Sequence, residues 1–113
     1  MAYMFKINAD TIGTVNRVTE TLSPKQGDPE VFTRHLNAQF TIADQNARDQ
    51  LLEKAKEYFQ QSQEFDLSVI DGAGNVVFFS DRYTYLYDCQ VTFTATNDDD
   101  SLEGTFSFSE YVE

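Results

Sequence analysis

The chain is short of the residues that covalent chemistry needs. It holds one histidine, one cysteine and no tryptophan in 113 residues. A lone cysteine, Cys89, excludes an internal disulfide, so nothing suggests an oxidised small scaffold. It sits between Tyr87 and Val91 on an alternating aromatic stretch, the setting of a buried, inert thiol. One Cys and one His are too few for a zinc site. His35 follows Arg34 at the start of a strand, on the face opposite Leu36. A nucleophilic dyad would need Cys89 or a serine brought beside it by folding. The expectation is a protein that is not an enzyme, with no catalytic, cofactor or metal residues.

Cations are scarce as well. Lys and Arg number 8 against 19 Asp and Glu, a formal charge of -11. A free basic patch for gripping phosphates is excluded on that balance. What the acidity leaves is solubility, or a surface that repels or mimics nucleic acid. No stretch approaches the ~18 apolar residues of a membrane span. The opening "MAYMFKINAD" has neither the basic region nor the apolar run of a signal peptide, so an intracellular soluble protein is expected.

Aromatic residues are plentiful: ten Phe and six Tyr, more than a disordered acidic tail carries. The length suits one domain, residues 1–113, with one core. "YMFKINA" reads as a short strand, Gly13 as a turn, and "TVNRVTETL" as a second strand rich in β-branched residues. "SPKQGDPE" holds both prolines and reads as a long loop, since proline is barred from a central strand. In "VFTRHLNAQFTIA", Leu36, Ala38, Phe40 and Ile42 share one face of a half-buried strand. "DQNARDQLLEKAKEYFQQ" is the one helix, with Ala47, Leu51, Ala55, Tyr58 and Phe59 as its apolar stripe and Asp44 or Asn46 as its cap. "FDLSVIDGAGNVVFFS" is a hairpin turning on the glycines of "DGAGN". "YTYLYDCQVTFTAT" alternates throughout and would make a strand of roughly 40 Å, long enough to require a bend or bulge near Leu86–Asp88. "GTFSFSEYV" closes the chain with Phe106 and Phe108 on one face.

The order β-β-β-α-β-β-β-β predicts a mainly β (α+β) fold. A small antiparallel β-barrel or rolled sheet with one flanking helix fits it. Phe40 and Phe93 are candidate core residues.

Two stretches invite a chemical reading. "ATNDDDSLEGTF" groups Asp98, Asp99, Asp100 and Glu103, but no register supplies the Gly and Glu that a calcium loop needs at its sixth and twelfth positions. It reads as an acidic hairpin turn. Tyr83, Tyr85 and Tyr87 could stack bases, yet only Arg82 is at hand to hold a phosphate backbone and Asp81 and Asp88 flank the series. A core or interface face is the plainer reading.

The order of elements, with "HLNAQFTIA" before the helix, "VVFF…YLYDCQVTFTAT" after it and "GTFSFS" at the close, resembles the tail-tube superfamily. That group comprises the tube proteins of contractile-tailed phages and the Hcp-like tube proteins of type VI secretion. The likeness runs from Leu36 to Phe108. It implies a barrel with a flanking helix, six copies joined sheet to sheet in a ring, and rings stacked into a hollow tube. It implies an inter-ring contact at Ser23, Pro24, Lys25, Gln26, Gly27, Asp28, Pro29, Glu30, Val31 and Phe32. It places Asp98, Asp99, Asp100 and Glu103 at a rim or in an acidic lumen that repels DNA phosphates. Implied partners are further copies of the chain, sheath, baseplate and tape-measure proteins, with DNA or effector protein passing through unbound and no membrane or cofactor involved. The implied location is the virion tail, assembled in the host cytoplasm. The alternative from another class is an acidic decoy that mimics DNA and blocks a nucleic-acid enzyme. It would need its acids at duplex phosphate spacing on one face.

Overall fold

The computed structural model describes residues 3–61, 64–84, 86–95 and 102–112. Among them run β1 (Met4–Ile7), β2 (Asp10–Lys25), β3 (Asp28–Ile42), α1 (Gln45–Gln61), β4 (Phe65–Ile70), β5 (Val76–Tyr83), β6 (Leu86–Ala95) and β7 (Leu102–Val112). The strands form one sheet in the order β5-β4-β1-β2-β3-β7-β6, antiparallel at every pairing. The fold is mainly β with one helix. The sheet is rolled and not closed, so β5 and β6 remain as its two edges.

Alternation in the sequence decides which side of the sheet is dry. Leu36, Ala38, Phe40 and Ile42 of β3 are buried, and the register sets Leu36 beside Phe108 and Ala38 beside Phe106. Phe5 and Ile7 of β1 and Phe65, Leu67 and Val69 of β4 complete the lining. Most ring pairs meet edge to face, a geometry their quadrupoles favour, while Phe106 and Phe108 stack with their planes 10° apart. Phe40 lies 5.9 Å from Phe5 and 6.0 Å from Phe106. Phe59 of α1 lies 6.1 Å from both Phe106 and Phe108, so the helix packs its stripe onto this face. Asp44 is the helix cap: its Oδ1 accepts from the Ala47 N–H at 2.9 Å.

Two features make the sheet roll. β2 carries a bulge at each of two points, opposite Phe5/Lys6 of β1 and between Val15 and Arg17, and bulges bend strands. The second feature is the β5–β6 connection. These strands stand at opposite ends of the sheet, yet only residues 84 and 85 separate them. Three peptide steps reach about 11 Å at most, so the two edges converge there. Arg34 Nη2 donates to the Arg82 carbonyl at 2.8 Å, and the Thr84 N–H donates to Glu110 Oε2 at 2.6 Å across the junction.

Four sequence expectations change. Ser23–Glu30 is no loop but the end of a hairpin, for reasons given below. Gly13 lies within β2 opposite Phe5, and the turn is at Asn8–Ala9, where Asn8 takes a φ of 55°. The long strand breaks at Thr84 because the chain must cross from one sheet edge to the other. A register shift does fall between Leu86 and Asp88, where a bend was expected. Phe93 is only half-buried, on β6 at the sheet's edge, with the Arg48 guanidinium 4.8 Å above its ring.

Candidate functional site

The ten residues expected at an inter-ring contact form the tip of the β2–β3 hairpin. Ser23, Pro24 and Lys25 end β2, Gln26 and Gly27 make the turn, and Asp28 to Phe32 begin β3. Gly27 takes a φ of 89°, a conformation open to glycine and costly to other residues. Pro24 and Pro29 are tolerated because the ribbon here is two strands wide. β7 joins β3 only from Phe32 onward, so a missing N–H can face solvent. Thr21 through Glu30 are all exposed. Lys25 lies back over the Tyr111 ring, 4.6 Å from its centroid.

At the hairpin's base the converging edges trap charge. Arg34, with 16 % of its side chain exposed, is ion-paired to Glu110, with 3 % exposed. The guanidinium also stacks 4.0 Å over the Tyr83 ring. The Tyr83 hydroxyl donates to Glu20 Oε2 at 2.6 Å. Burial, and then the Glu20 carboxylate beside it, push the Tyr83 hydroxyl well above the ordinary phenol range. Nearby, Arg82 and Asp66 form a two-pronged exposed pair that holds the Asp66 carboxyl below its ordinary value. A cavity of about 670 Å³ opens among Val31, Arg34, Arg82, Thr84, Glu110, Tyr111 and Val112. Its two cations already carry these carboxylate partners. Tyr83 belongs to this cluster and to the core, so it is no exposed stacking platform. Tyr85 lies outside the described residues, as does the side chain of Tyr87.

The face of the sheet away from the helix is polar but nearly uncharged. Register places Thr19, Asn37, Ser107 and Gln90 in one row and Arg17, Gln39, Thr105 and Thr92 in the next. A third row holds Thr21, His35, Ser109 and Asp88. Ser107 donates to Asn37 Oδ1 at 2.6 Å, and His35 Nδ1 and Ser109 Oγ share a hydrogen bond of 2.5 Å. Folding thus brings a serine to His35. Ser109 is 97 % enclosed (3 % exposed), and cross-strand bonding of two neighbouring polar side chains accounts for the contact.

Glu103 is exposed on this same face, opposite Thr41 and Thr94. Asp98, Asp99 and Asp100 lie outside the described residues. Among the described residues no group of three or more His, Cys, Asp or Glu is placed to hold a metal ion. Cys89 faces the core, half-buried. Burial first, then Asp88, push its thiol up to about 11.

Besides the outer side of β5, which pairs with β4 alone, two stretches of strand backbone lack partners among the described residues. β6 pairs with β7 alone. β2 meets β1 only as far as Thr14, with one more bond from the Val15 N–H to the Tyr3 carbonyl at 3.0 Å. From Asn16 to Lys25 its side away from β3 carries no strand.

Sequence reasoning missed the turn at Gln26–Gly27. Its signal was present as continued alternation through Thr21, Ser23 and Thr33 on both sides. The Arg34–Glu110 pair had no signal, since the two residues lie far apart in the chain. Comparison with known proteins returns nothing: no family model, no curated protein and no solved structure matches the chain.

Proposed function

We propose that the chain is a structural subunit that joins copies of itself into rings, stacked as the inner tube of a phage tail or related contractile injection machine. The reading rests on the residue pattern and element order of the tail-tube superfamily, and one observation carries it. The β2-β3-β7-β6 part of the sheet has an unpartnered edge on each side, β2 from Asn16 to Lys25 and β6. Soluble proteins ordinarily blunt or cover such edges. Setting β6 of one copy against β2 of the next continues the sheet from chain to chain. The contact is heterologous, and it closes into a ring when the rotation per copy divides a full turn.

Such a ring has an inside and an outside. The helix and strands β1, β4 and β5 pack on one side of this sheet segment, and the greater bulk belongs at the larger radius. The lumen then receives the face of Thr, Ser, Asn and Gln. Arg17, Lys25, Asp88 and Glu103 are charged members of that face among the described residues. A wall of hydroxyl and amide groups offers a polyanion little to bind. The described acids are spread over helix, turns and strand ends, as at Glu53, Asp71 and Glu103, instead of covering one face as a DNA decoy requires.

Electron microscopy and sedimentation of the purified protein test the proposal. Rings or tubes of phage-tail width are the expected result. A strict monomer at high concentration, with no tube in the parent particle, would remove it.

A further inference from the structure

Two side chains tie the crossing from β5 to β6 to the middle of the sheet, Arg34 of β3 and the buried Glu110 of β7. Arg34 Nη2 bridges the two partners it meets there. It donates to the Arg82 carbonyl at 2.8 Å and pairs with Glu110 Oε1. The other carboxylate oxygen, Oε2, accepts from the Thr84 N–H at 2.6 Å. Both oxygens of Glu110 therefore face groups that only donate, since a guanidinium and a backbone N–H accept nothing. A proton added to either oxygen meets a hydrogen already there, and one of the two contacts must break. The neighbouring acid is built differently. Glu20 Oε2 accepts from the Tyr83 hydroxyl at 2.6 Å, and a hydroxyl can turn and accept instead. Glu20 can take up a proton and keep its partner; Glu110 cannot.

We propose that Glu110 is an acid-operated latch: on taking up a proton it lets go of Thr84 and Arg34, and the crossing swings away from β3 and β7. The burial of Arg34 carries the change further. Its side chain is 16 % exposed, and an enclosed guanidinium whose paired carboxylate turns neutral is driven toward water. As it moves it gives up the Arg82 carbonyl, so the loss of one charge loosens both ties. The cavity of about 670 Å³ among Arg34, Arg82 and Glu110 gives these side chains room to move. The described charged and titratable groups around Glu110 come from every strand nearby: Glu20 from β2, Arg34 from β3, Arg82 and Tyr83 from β5. Tyr83, its hydroxyl held up by burial and by Glu20, is neutral throughout the acid range. Asp66 of β4 pairs with Arg82 on the exposed side, and that pair holds the Asp66 carboxyl below its ordinary value, so Arg82 keeps its carboxylate well into acid. Asp88 of β6 stands opposite Ser109 on the other face of the sheet. Among these groups Glu110 is the one whose proton the surrounding donors cannot accommodate. The latch does not depend on the assembly proposed above.

Hydrogen exchange of the folded chain, read amide by amide by nuclear magnetic resonance between about pH 7 and about pH 3, tests the latch. Protection factors, which remove the intrinsic pH dependence of exchange, are compared for the Thr84 amide and for the amides from Leu36 to Phe40. On acidification the Thr84 protection should fall roughly tenfold or more, the effect of losing one hydrogen bond to a charged group. The central amides should hold theirs. Glu110→Gln, whose side-chain amide cannot accept at both atoms, should show the low value at neutral pH and no further fall. Glu20→Gln should respond to pH as the wild type does. Constant Thr84 protection in the wild type overturns the latch. A loss shared equally by the central amides is global unfolding and overturns it too. So does a pH response that survives in Glu110→Gln or vanishes in Glu20→Gln. Where Glu110→Gln does not fold, the wild-type titration and Glu20→Gln decide.

Discussion

One pair of strands runs through two different environments. From Leu36 to Phe40, β3 lies in the middle of the sheet, paired with β2 on one side and β7 on the other, with the Phe40 ring against Phe5 and Phe106. From Asp28 to Val31 the same strand has no core beneath, and only Asp28 is in register with β2, opposite Lys25. The inner half is held by burial and the outer half by the Lys25–Asp28 pairing and a turn. An isolated two-stranded ribbon is marginal in water, so the tip belongs to the least stable part of the molecule. A segment of that kind gains most from a partner.

The comparison can be broken at several points. Phe40→Ala should cost about 3–5 kcal/mol of global stability in denaturant titration. A loss under about 1 kcal/mol would mean that the inner half is not the core. Phe93→Ala, at the half-buried edge, should cost roughly half as much. Glu110→Ala should cost about 3 kcal/mol, because it leaves Arg34 charged and nearly enclosed. A neutral effect would show that the base of the hairpin is wetter than its burial indicates. Gly27→Ala should weaken the tip by about 1 kcal/mol. Faster hydrogen exchange confined to residues 22–31, with an unchanged unfolding midpoint, is the expected signature. A drop in global stability would show that the two halves unfold as one.

A pH scan sharpens the boundary. Tyr83 has its folded value raised, so its contribution is whole below the ordinary phenol value of about 10 and is lost as pH rises through the folded value. Spectroscopic titration should find two tyrosines ionising late, Tyr83 and also Tyr58, whose hydroxyl is held up by burial and by the Asp10 carboxylate, with Tyr83 ionising together with unfolding. Tyr83 ionising near its ordinary value would place it in water. The smallest effect expected is that of Leu22→Ser on the isolated chain, under about 0.5 kcal/mol at so exposed a site.

The parts of the fold that were legible in the sequence are those where burial writes a period. The face of Leu36, Ala38, Phe40 and Ile42, the stripe of α1 with its Asp44 cap and the "DGAGN" turn all appear where the pattern puts them. Proline misled at Ser23–Glu30, because the bar on proline applies to central strands and this ribbon has open sides. Alternation misled at Tyr83–Tyr87, because a period of two continues through a two-residue crossing. The cluster of Arg34, Glu110, Tyr83 and Glu20 was beyond reach, since its members come from four strands that only the rolling of the sheet assembles.

The pairing of β3 with β7 has a consequence for the order in which the chain can fold. The His35–Ser109 contact spans 74 residues and the Asn37–Ser107 contact 70, whereas the β2–β3 and β4–β5 hairpins close over a few. Contacts that distant form late, after the local ones have set. While the ribosome is still making β7, β3 therefore waits with one side of its backbone unpaired, and a neighbouring nascent chain presents the same vacancy. Strand β7 acts as the molecule's own stopper. Its arrival decides whether β3 pairs within its chain or with another, and a chain lacking residues 102–112 should aggregate through the strand that the finished protein keeps at its centre.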